Sequence, residues 1–284
     1  MILKKCKEVR VKDKLNEIQG QKTKKPVARK LLLKLLSSRE NIQMNAAAAV
    51  RVGALFGISE NNIRVTLNRL HSAKLLNVVE RGYYQLGPSG KQFADEISQW
   101  RFAEQHLVPW QSDWIVVQAT MLSKSDKKQQ RINDRALKLL GMKALSSGMY
   151  IRPNNMRGGA AYVRNKLQIL GLSEKVFVYR ATDFDKSTHN SASALWRVNH
   201  LTASYQQGIT SLTESLQKIP ALSLDDATKE TFEIGDNALR NLVFDPLLPE
   251  PLIDVALRQQ YRALVEQYDD VGAGIWNTFL NSTP

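Results

Sequence analysis

The chain has few of the residues that build disulfides, metal clusters and membrane spans. A single cysteine, Cys6, occurs in 284 residues, which excludes an internal disulfide framework and a cysteine-based zinc cluster. No apolar run approaches the roughly 20 residues of a membrane helix. Met1-Ile2-Leu3 followed by lysines is not the pattern of a signal peptide. We therefore expect a cytoplasmic protein.

The signatures of catalytic and cofactor sites are equally scarce. The histidines have no partner at the spacing of metal ligands, and they are His71, His106, His189 and His200. Arg157-Gly158-Gly159 is too short for a nucleotide-binding loop and does not join a strand to a helix in the required way. The sequence therefore predicts no catalytic residue, no metal and no cofactor.

Positive charge is the main excess of the chain, and it is unevenly placed. The formal net charge is +13 at pH 7. Because 12 acidic and 5 basic residues follow Ile209, residues 1–209 carry a net charge of +20. A basic N-terminal part and an acidic C-terminal part indicate that the N-terminal part faces a polyanion such as nucleic acid.

The segment after residue 45 has the pattern of two helices joined by a tight turn. The alanine-rich stretch from Ala46 to Phe56 favours a helix. Gly57 can take the left-handed conformation that ends it, and Ile58 can pack just beyond. Ser59 can then cap a second helix, with Glu60 in its first turn.

The second helix has two faces of opposite character. Ile63, Leu67 and Leu70 share one face and are expected to point inward, with Lys74 at the edge. The other face carries side chains that can read bases, since Asn pairs with adenine, Arg with guanine and Val with the thymine methyl. A solvated face is the alternative, but the preceding tight turn favours a DNA reader. The predicted DNA-binding residues here are Ser59, Asn61, Asn62, Arg64, Val65, Asn68, Arg69 and Ser72.

A β-hairpin is predicted directly after this helix. Asn77-Val78-Val79 can form one strand, Glu80-Arg81-Gly82 a three-residue turn, and Tyr83-Tyr84-Gln85-Leu86 the return strand. We predict that Arg81 and Tyr83 of this wing contact DNA, with a solvated hairpin as the alternative. Beyond the wing, Ser89 is expected to cap a helix that runs to about Gln105.

Two N-terminal features complete this region. Val27 to Leu36 repeats apolar residues at helical spacing, which predicts an amphipathic helix packed beneath the reader. The first 25 residues are rich in lysine. They can form an arm that attracts phosphates without sequence preference, or a tail that only improves solubility.

The middle of the chain predicts a β-α-β-β-α-β order, which is that of the ferredoxin-like fold. The predicted elements are a buried strand over 113–120, a helix over 127–140, a hairpin of 142–145 with 149–152, a helix over 160–170 and a strand over 175–181.

From about Ser191 the pattern becomes helical. The proline-rich segment Asp245 to Leu252 interrupts it, and Ile253 to Glu266 resumes as a helix.

Several segments taken together resemble the PaaX-type transcriptional repressors. The likeness spans residues 26 to about 275 and depends on the order of several short motifs. These are the winged segment 57–70, Tyr83-Tyr84-Gln85-Leu86, Trp110-Gln111-Ser112-Asp113-Trp114, Gly148-Met149-Tyr150-Ile151-Arg152-Pro153, Leu195-Trp196 and Asp245-Pro246-Leu247-Leu248-Pro249.

The resemblance implies a homodimeric repressor of aromatic-acid catabolism that binds a palindromic DNA operator and is released by an aryl-coenzyme A effector. It also implies a central domain similar to the Cas2 endoribonucleases, so a metal-dependent nuclease is the alternative function. The stretch from Trp114 to Met121 holds no carboxylate for a divalent metal. We therefore expect a dimerising module. Candidates for binding the effector's phosphates, beside the start of the helix over 160–170, are Arg152, Arg157 and Arg164.

These features predict an α+β protein with no membrane partner. The predicted parts are a basic arm (1–25), a winged helix-turn-helix domain (26–92), a linker helix (93–107), a ferredoxin-like, Cas2-like dimerisation domain (108–186) and a mainly helical C-terminal domain (190–284).

Overall fold

The computed structural model describes residues 27–37, 43–120, 126–173 and 175–282. The predicted basic arm lies outside the described residues. The described chain is a mixture of helices and two small antiparallel sheets, in agreement with the predicted α+β class. None of its described helices is both long enough and apolar enough to cross a membrane.

The first unit consists of three helices and a three-stranded sheet. Its elements are α1 (Ala28–Ser37), β1 (Met44–Asn45), α2 (Ala46–Leu55), α3 (Glu60–Ser72), β2 (Leu76–Glu80) and β3 (Tyr83–Leu86). The sheet has the order β1-β3-β2 with antiparallel pairing throughout. The short β1 was not predicted. It pairs Asn45 with Tyr83, and the Asn45 side chain caps α2 through the amide of Ala48.

The connection to the next unit differs from the prediction. Helix α4 (Pro88–Ser98) begins one residue before Ser89, so Ser89 lies inside the first turn and does not cap the helix. Proline suits the first position of a helix, because the backbone N–H that it lacks would have no partner within the helix there. A 3₁₀ helix over Gln99–His106 follows. The predicted single helix to Gln105 is therefore two helices of different type.

The central unit has the predicted β-α-β-β-α-β element order. Its elements are β4 (Trp114–Gln118), α5 (Lys127–Leu139), β5 (Lys143–Ser146), β6 (Met149–Pro153), α6 (Gly159–Ile169) and β7 (Phe177–Ala181). The sheet has the order β5-β6-β4-β7, and each neighbouring pair is antiparallel. Strand β4 is central.

The first four residues of β4 are apolar and buried because both faces of its sheet are covered. Ile115 and Val117 pack in a core with α5 and α6. Trp114 and Val116 point to the other face, where they pack in a core with the C-terminal helices. Alternate side chains of one strand thus enter two different cores.

The C-terminal unit is helical, with one break at the prolines. It contains α7 (Lys186–Ser193), α8 (Val198–Lys218), a 3₁₀ turn (Ile219–Ala221), α9 (Leu224–Val243) and α10 (Val255–Asn281). The segment 245–252 lies outside these helices, as its prolines predict. Helix α10 extends well beyond the predicted end at Glu266.

The first unit packs directly on the C-terminal helices, which was not predicted. Phe232 of α9 and Phe279 of α10 belong to the same core cluster as α1. Lys30 of α1 forms an ion pair with Asp236 of α9. Because α1 is covered by α3 on one side and by α9 and α10 on another, its buried residues extend beyond one stripe.

Candidate nucleic-acid interface

The turn between α2 and α3 has the geometry that its residues predict. Gly57 has a φ of +64°, the left-handed conformation that glycine adopts without steric cost. The Ser59 hydroxyl accepts a hydrogen bond from the amide of Asn62 at 3.4 Å and caps α3. Glu60 lies in the first turn, where its charge complements the helix dipole.

Helix α3 separates an inward apolar face from an outward polar one. Ile63, Leu67 and Leu70 are at most 1% exposed. The outward predicted residues are all exposed, and they are Asn61, Asn62, Arg64, Val65, Asn68, Arg69 and Ser72. The residues predicted to read bases therefore share one accessible face of α3.

Two side chains on this face make bonds along their own helix. The Arg64 guanidinium pairs with the Glu60 carboxylate at 2.7 Å, four residues earlier. The side-chain oxygen Oδ1 of Asn62 accepts a hydrogen bond from the Thr66 hydroxyl at 3.3 Å. More than half of each side chain in the Arg64–Glu60 pair is exposed, so this pair contributes little to stability. Arg64 can exchange Glu60 for another acceptor.

Lys74 does not lie on α3, contrary to the prediction. The helix ends at Ser72, and Lys74 has a φ of +57° in the turn that follows. Such a conformation is uncommon for a residue with a side chain. It places an exposed cation between α3 and the wing. This turn could not be predicted, since Lys74 continues the helical spacing of the apolar residues.

The hairpin predicted as the wing turns through two residues between β2 and β3, one fewer than predicted. Glu80 is still in β2, so the turn is Arg81-Gly82, and the register shifts between Val78 and Glu80. Gly82 has a φ of +85°, as the turn requires. Arg81 and Tyr83 are exposed at this end of the hairpin.

The wing tip is tied to α2, and its outer strand exposes two valines. The amide of Ala46 donates to the carbonyl of Gly82 at 2.9 Å, which joins the tip of the hairpin to the start of α2. Val78 and Val79 are 46% and 45% exposed. These valines were not predicted as surface residues. Both valines lie on β2, which is at the edge of the sheet beside β3.

The three arginines predicted to bind an effector do not form one site. Arg152 is 1% exposed, and its guanidinium donates to the backbone carbonyls of Leu140 and Pro246 and to the Asn155 side chain. Burial lowers the pKa of Arg152 to about 10. This arginine joins the central unit to the proline-rich segment and is removed from the candidate effector site.

The other two arginines remain accessible. Arg157 is exposed just before α6. Arg164 is also exposed, but one of its nitrogens donates to the carbonyl of Val178 at 2.5 Å. Gly158 precedes α6 with a φ of +86° and, having no side chain, leaves the first amides of the helix without a side-chain cap.

The carboxylate next to β4 is part of a structural cluster. Asp113 is 3% exposed, and its Oδ2 accepts from Arg180 and, at 2.6 Å, from the Asn154 amide. Arg180 already compensates its charge. In the part of the chain that the structure describes, no three His, Cys, Asp or Glu side chains are grouped so that they could hold a metal.

The histidines have local partners. His71 lies 3.1 Å from the carbonyl of Leu76 through its Nδ1. His106 stacks on Tyr162 with ring centroids 5.4 Å apart, and His189 stacks on Trp110 at 5.8 Å. Two of the four histidines thus pack on aromatic rings, and His71 lies within hydrogen-bond distance of a backbone carbonyl.

No protein-family model and no curated protein matches the chain. Among solved structures, it is similar to an uncharacterized protein, Rv0674, from Mycobacterium tuberculosis, with a TM-score of 0.61 and 18% identity. The match covers 89% of this chain and 98% of that one. At this identity the likeness shows that the two chains share a fold. The name of that protein assigns no activity to it.

Proposed function

We propose that the chain is a sequence-specific DNA-binding regulator whose reader is α3. The observation that carries this proposal is the exposed polar face of α3, held outward by its buried leucines directly after a tight helix-helix turn. A helix of 13 residues is about 20 Å long and fits a major groove about 12 Å wide. Helix α2 would then cross the phosphate backbone.

The exposed side chains suit direct readout. Arg64 and Arg69 can each bond a guanine edge, and Asn68 an adenine edge. Val65 is 37% exposed and can contact a thymine methyl. Arg81 at the wing tip would bind phosphate or the minor groove, fixing the orientation of α3 without reading sequence.

The same proposal includes the type of the central unit, the homodimer and the effector. The element order and sheet order of the central unit support a ferredoxin-like, Cas2-like module, which we propose forms the homodimer. The palindromic operator, the catabolic operon and release by an aryl-coenzyme A follow from the resemblance to PaaX-type repressors. Arg157 and Arg164 remain the candidates for the effector's phosphates.

A titration of labelled random-sequence duplex at several salt concentrations tests the general claim. We expect tight binding that weakens steeply as salt rises, because phosphate contacts release counterions. Arg81→Ala should weaken binding to all duplexes alike and reduce the salt slope by about 1. Arg131→Ala removes an exposed arginine of α5 and is the matched control. Equal effects of the two variants would contradict the wing assignment.

The same complexes separate a regulator from a nuclease. Duplex DNA and single-stranded RNA incubated with the full chain and Mg²⁺ or Mn²⁺ should stay intact over hours. Metal-dependent cleavage that copurifies with the chain would replace the regulator proposal with the Cas2-like enzyme.

A further inference from the structure

A cleft lies where the first unit meets the C-terminal helices, far along the chain from the predicted effector arginines. It is bounded by α1, α9 and α10. Its cavity volume is about 50 Å³, and the unfilled space reaches about 520 Å³ when the open mouth is counted. The enclosed part is larger than one water needs. It is smaller than the ~150 Å³ cavity that accepts benzene.

The walls of this cleft are mainly apolar. Phe232 and Trp276 contact each other edge to face, with centroids 6.1 Å apart. Gly235 and Gly272 also line it, and neither position is crowded. A Cβ built at Gly235 or at Gly272 would lie 3.5 Å from its nearest neighbour, an ordinary contact. The two glycines therefore leave space that an alanine would fill.

Lys34 is a basic residue that lines the cleft, and its contacts with described residues are long. Its Nζ donates to the Phe232 carbonyl at 3.4 Å, lies 3.6 Å from Asp236 Oδ1 and sits 4.6 Å from the centre of the Phe232 ring. These are long contacts for an ammonium group with three donors. Desolvation lowers the pKa of Lys34 to about 8.

The surrounding charges leave an excess of cations. Asp236 faces Lys30 and Arg240 as well as Lys34. Asp269, which also lines the cleft, pairs with Arg101. Among the described side chains, Lys30, Lys34, Arg101 and Arg240 thus lie beside the carboxylates of Asp236 and Asp269, so the site favours an added anion.

We propose that this cleft binds a small monocarboxylate with a short apolar chain. The carboxylate would accept from Lys34, and the chain would lie against Phe232 and Trp276. The enclosed volume favours an aliphatic chain of a few carbons over an aromatic ring. This proposal stands whether or not the chain binds DNA.

Ligand-observed NMR titration of the full chain with butyrate tests the proposal, with 1-butanol and butylammonium as probes of equal chain length. Butyrate should bind, and both the neutral and the cationic probe should bind about tenfold more weakly or worse, because a charge-assisted hydrogen bond is lost. Equal binding of the three probes, or no binding of butyrate at tens of millimolar, would overturn the proposal.

Filling the cleft tests its location. The double variant Gly235→Ala/Gly272→Ala should weaken butyrate binding about tenfold or more while the chain stays folded. Gly274→Ala is the control, because it lies on α10 and its Cβ would meet no described atom within 4 Å. Loss of binding in Gly274→Ala to the same extent, or full retention in the double variant, would overturn the location.

Lys34→Met tests the role of the cation. It keeps an apolar stem of similar length, and it should remove the preference for butyrate over 1-butanol. In the wild type, butyrate affinity should fall as the pH rises from 7 to 9, since Lys34, which faces Asp236, Asp269 and Lys30, loses its proton in this range. A preference that survives Lys34→Met, or a flat pH profile, would overturn the assignment.

Discussion

Gly53 of α2 lies directly against Ile63 of α3. A Cβ built at Gly53 would be 2.5 Å from Ile63 Cγ1 and 2.8 Å from its Cδ1, distances that no ordinary contact reaches. The missing side chain at Gly53 therefore sets how closely the two helices of the turn approach. Because Ile63 is fully buried, this contact also fixes which face of α3 points outward.

Gly53→Ala should destabilise the chain even though alanine is the better helix former. The crowding against Ile63 should cost about 1–3 kcal/mol, more than the roughly 1 kcal/mol that helix propensity returns. Urea unfolding monitored by circular dichroism measures the change. Gly274→Ala is the matched control and should be neutral or stabilising. A Gly53→Ala protein as stable as Gly274→Ala would contradict the close approach.

The buried ion pair of Arg258 should matter far more than an exposed one. Arg258 is 1% exposed, and it donates to Glu104 at 3.1 Å and to the Leu248 carbonyl. Arg258→Ala should cost about 3–5 kcal/mol, because Glu104 keeps the longer 3.8 Å contact with Arg262 but loses Arg258, and the Leu248 carbonyl loses its donor. Lys218→Ala breaks an exposed pair with Glu230 and should cost less than about 1 kcal/mol. Similar shifts in the urea midpoint would show that the Arg258 pair is not buried as described.

Lys34 should make stability depend on pH in a defined direction. Its pKa is about 8 when folded, against about 10.4 for an unfolded lysine. The unfolded chain therefore binds more protons than the folded chain between these two pH values. As the pH rises through this range, Lys34 increases the free energy of unfolding. Below pH 8 the folded chain bears the full cost of the charged amine.

Lys34→Met removes that cost, so the variant should be more stable than the wild type at pH 7, with a difference that shrinks towards pH 10. Denaturant unfolding at both pH values measures it. Lys128→Met, on the exposed side of α5, controls for the loss of one charge. A pH-independent difference, or a less stable variant at pH 7, would contradict the desolvation of Lys34.

The elements of the first and central units could be predicted because their signals are local. Gly57 and Ser59 mark the turn through their own backbone and side-chain chemistry. Leu67 and Leu70 define the inward face of α3 by spacing alone. The β5–β6 hairpin turns at Ser147-Gly148, residue types that are typical of turns. None of these inferences requires a distant partner.

Two of the errors arise where a distant segment decides the outcome. From the sequence alone, Arg152 is predicted to be an accessible cation. In the structure it is buried, because it donates to the carbonyls of Leu140 and Pro246 from other segments. The packing of α1 on Phe232 joins residues that are about two hundred positions apart. Such contacts leave no local pattern. For the same reason the cleft beside Lys34 could not be predicted.

Selection of bound sequences from a random duplex pool tests the reading surface most directly. The wild type should enrich one sequence, arranged as two related half-sites if the chain acts as a dimer. Arg64→Ala and Asn68→Ala should each lose the preference at one base position, at a cost of about 1–3 kcal/mol there, and keep the rest. Arg131→Ala should enrich the wild-type sequence. Unchanged enrichment by both α3 variants, or no enrichment by the wild type, would contradict the account.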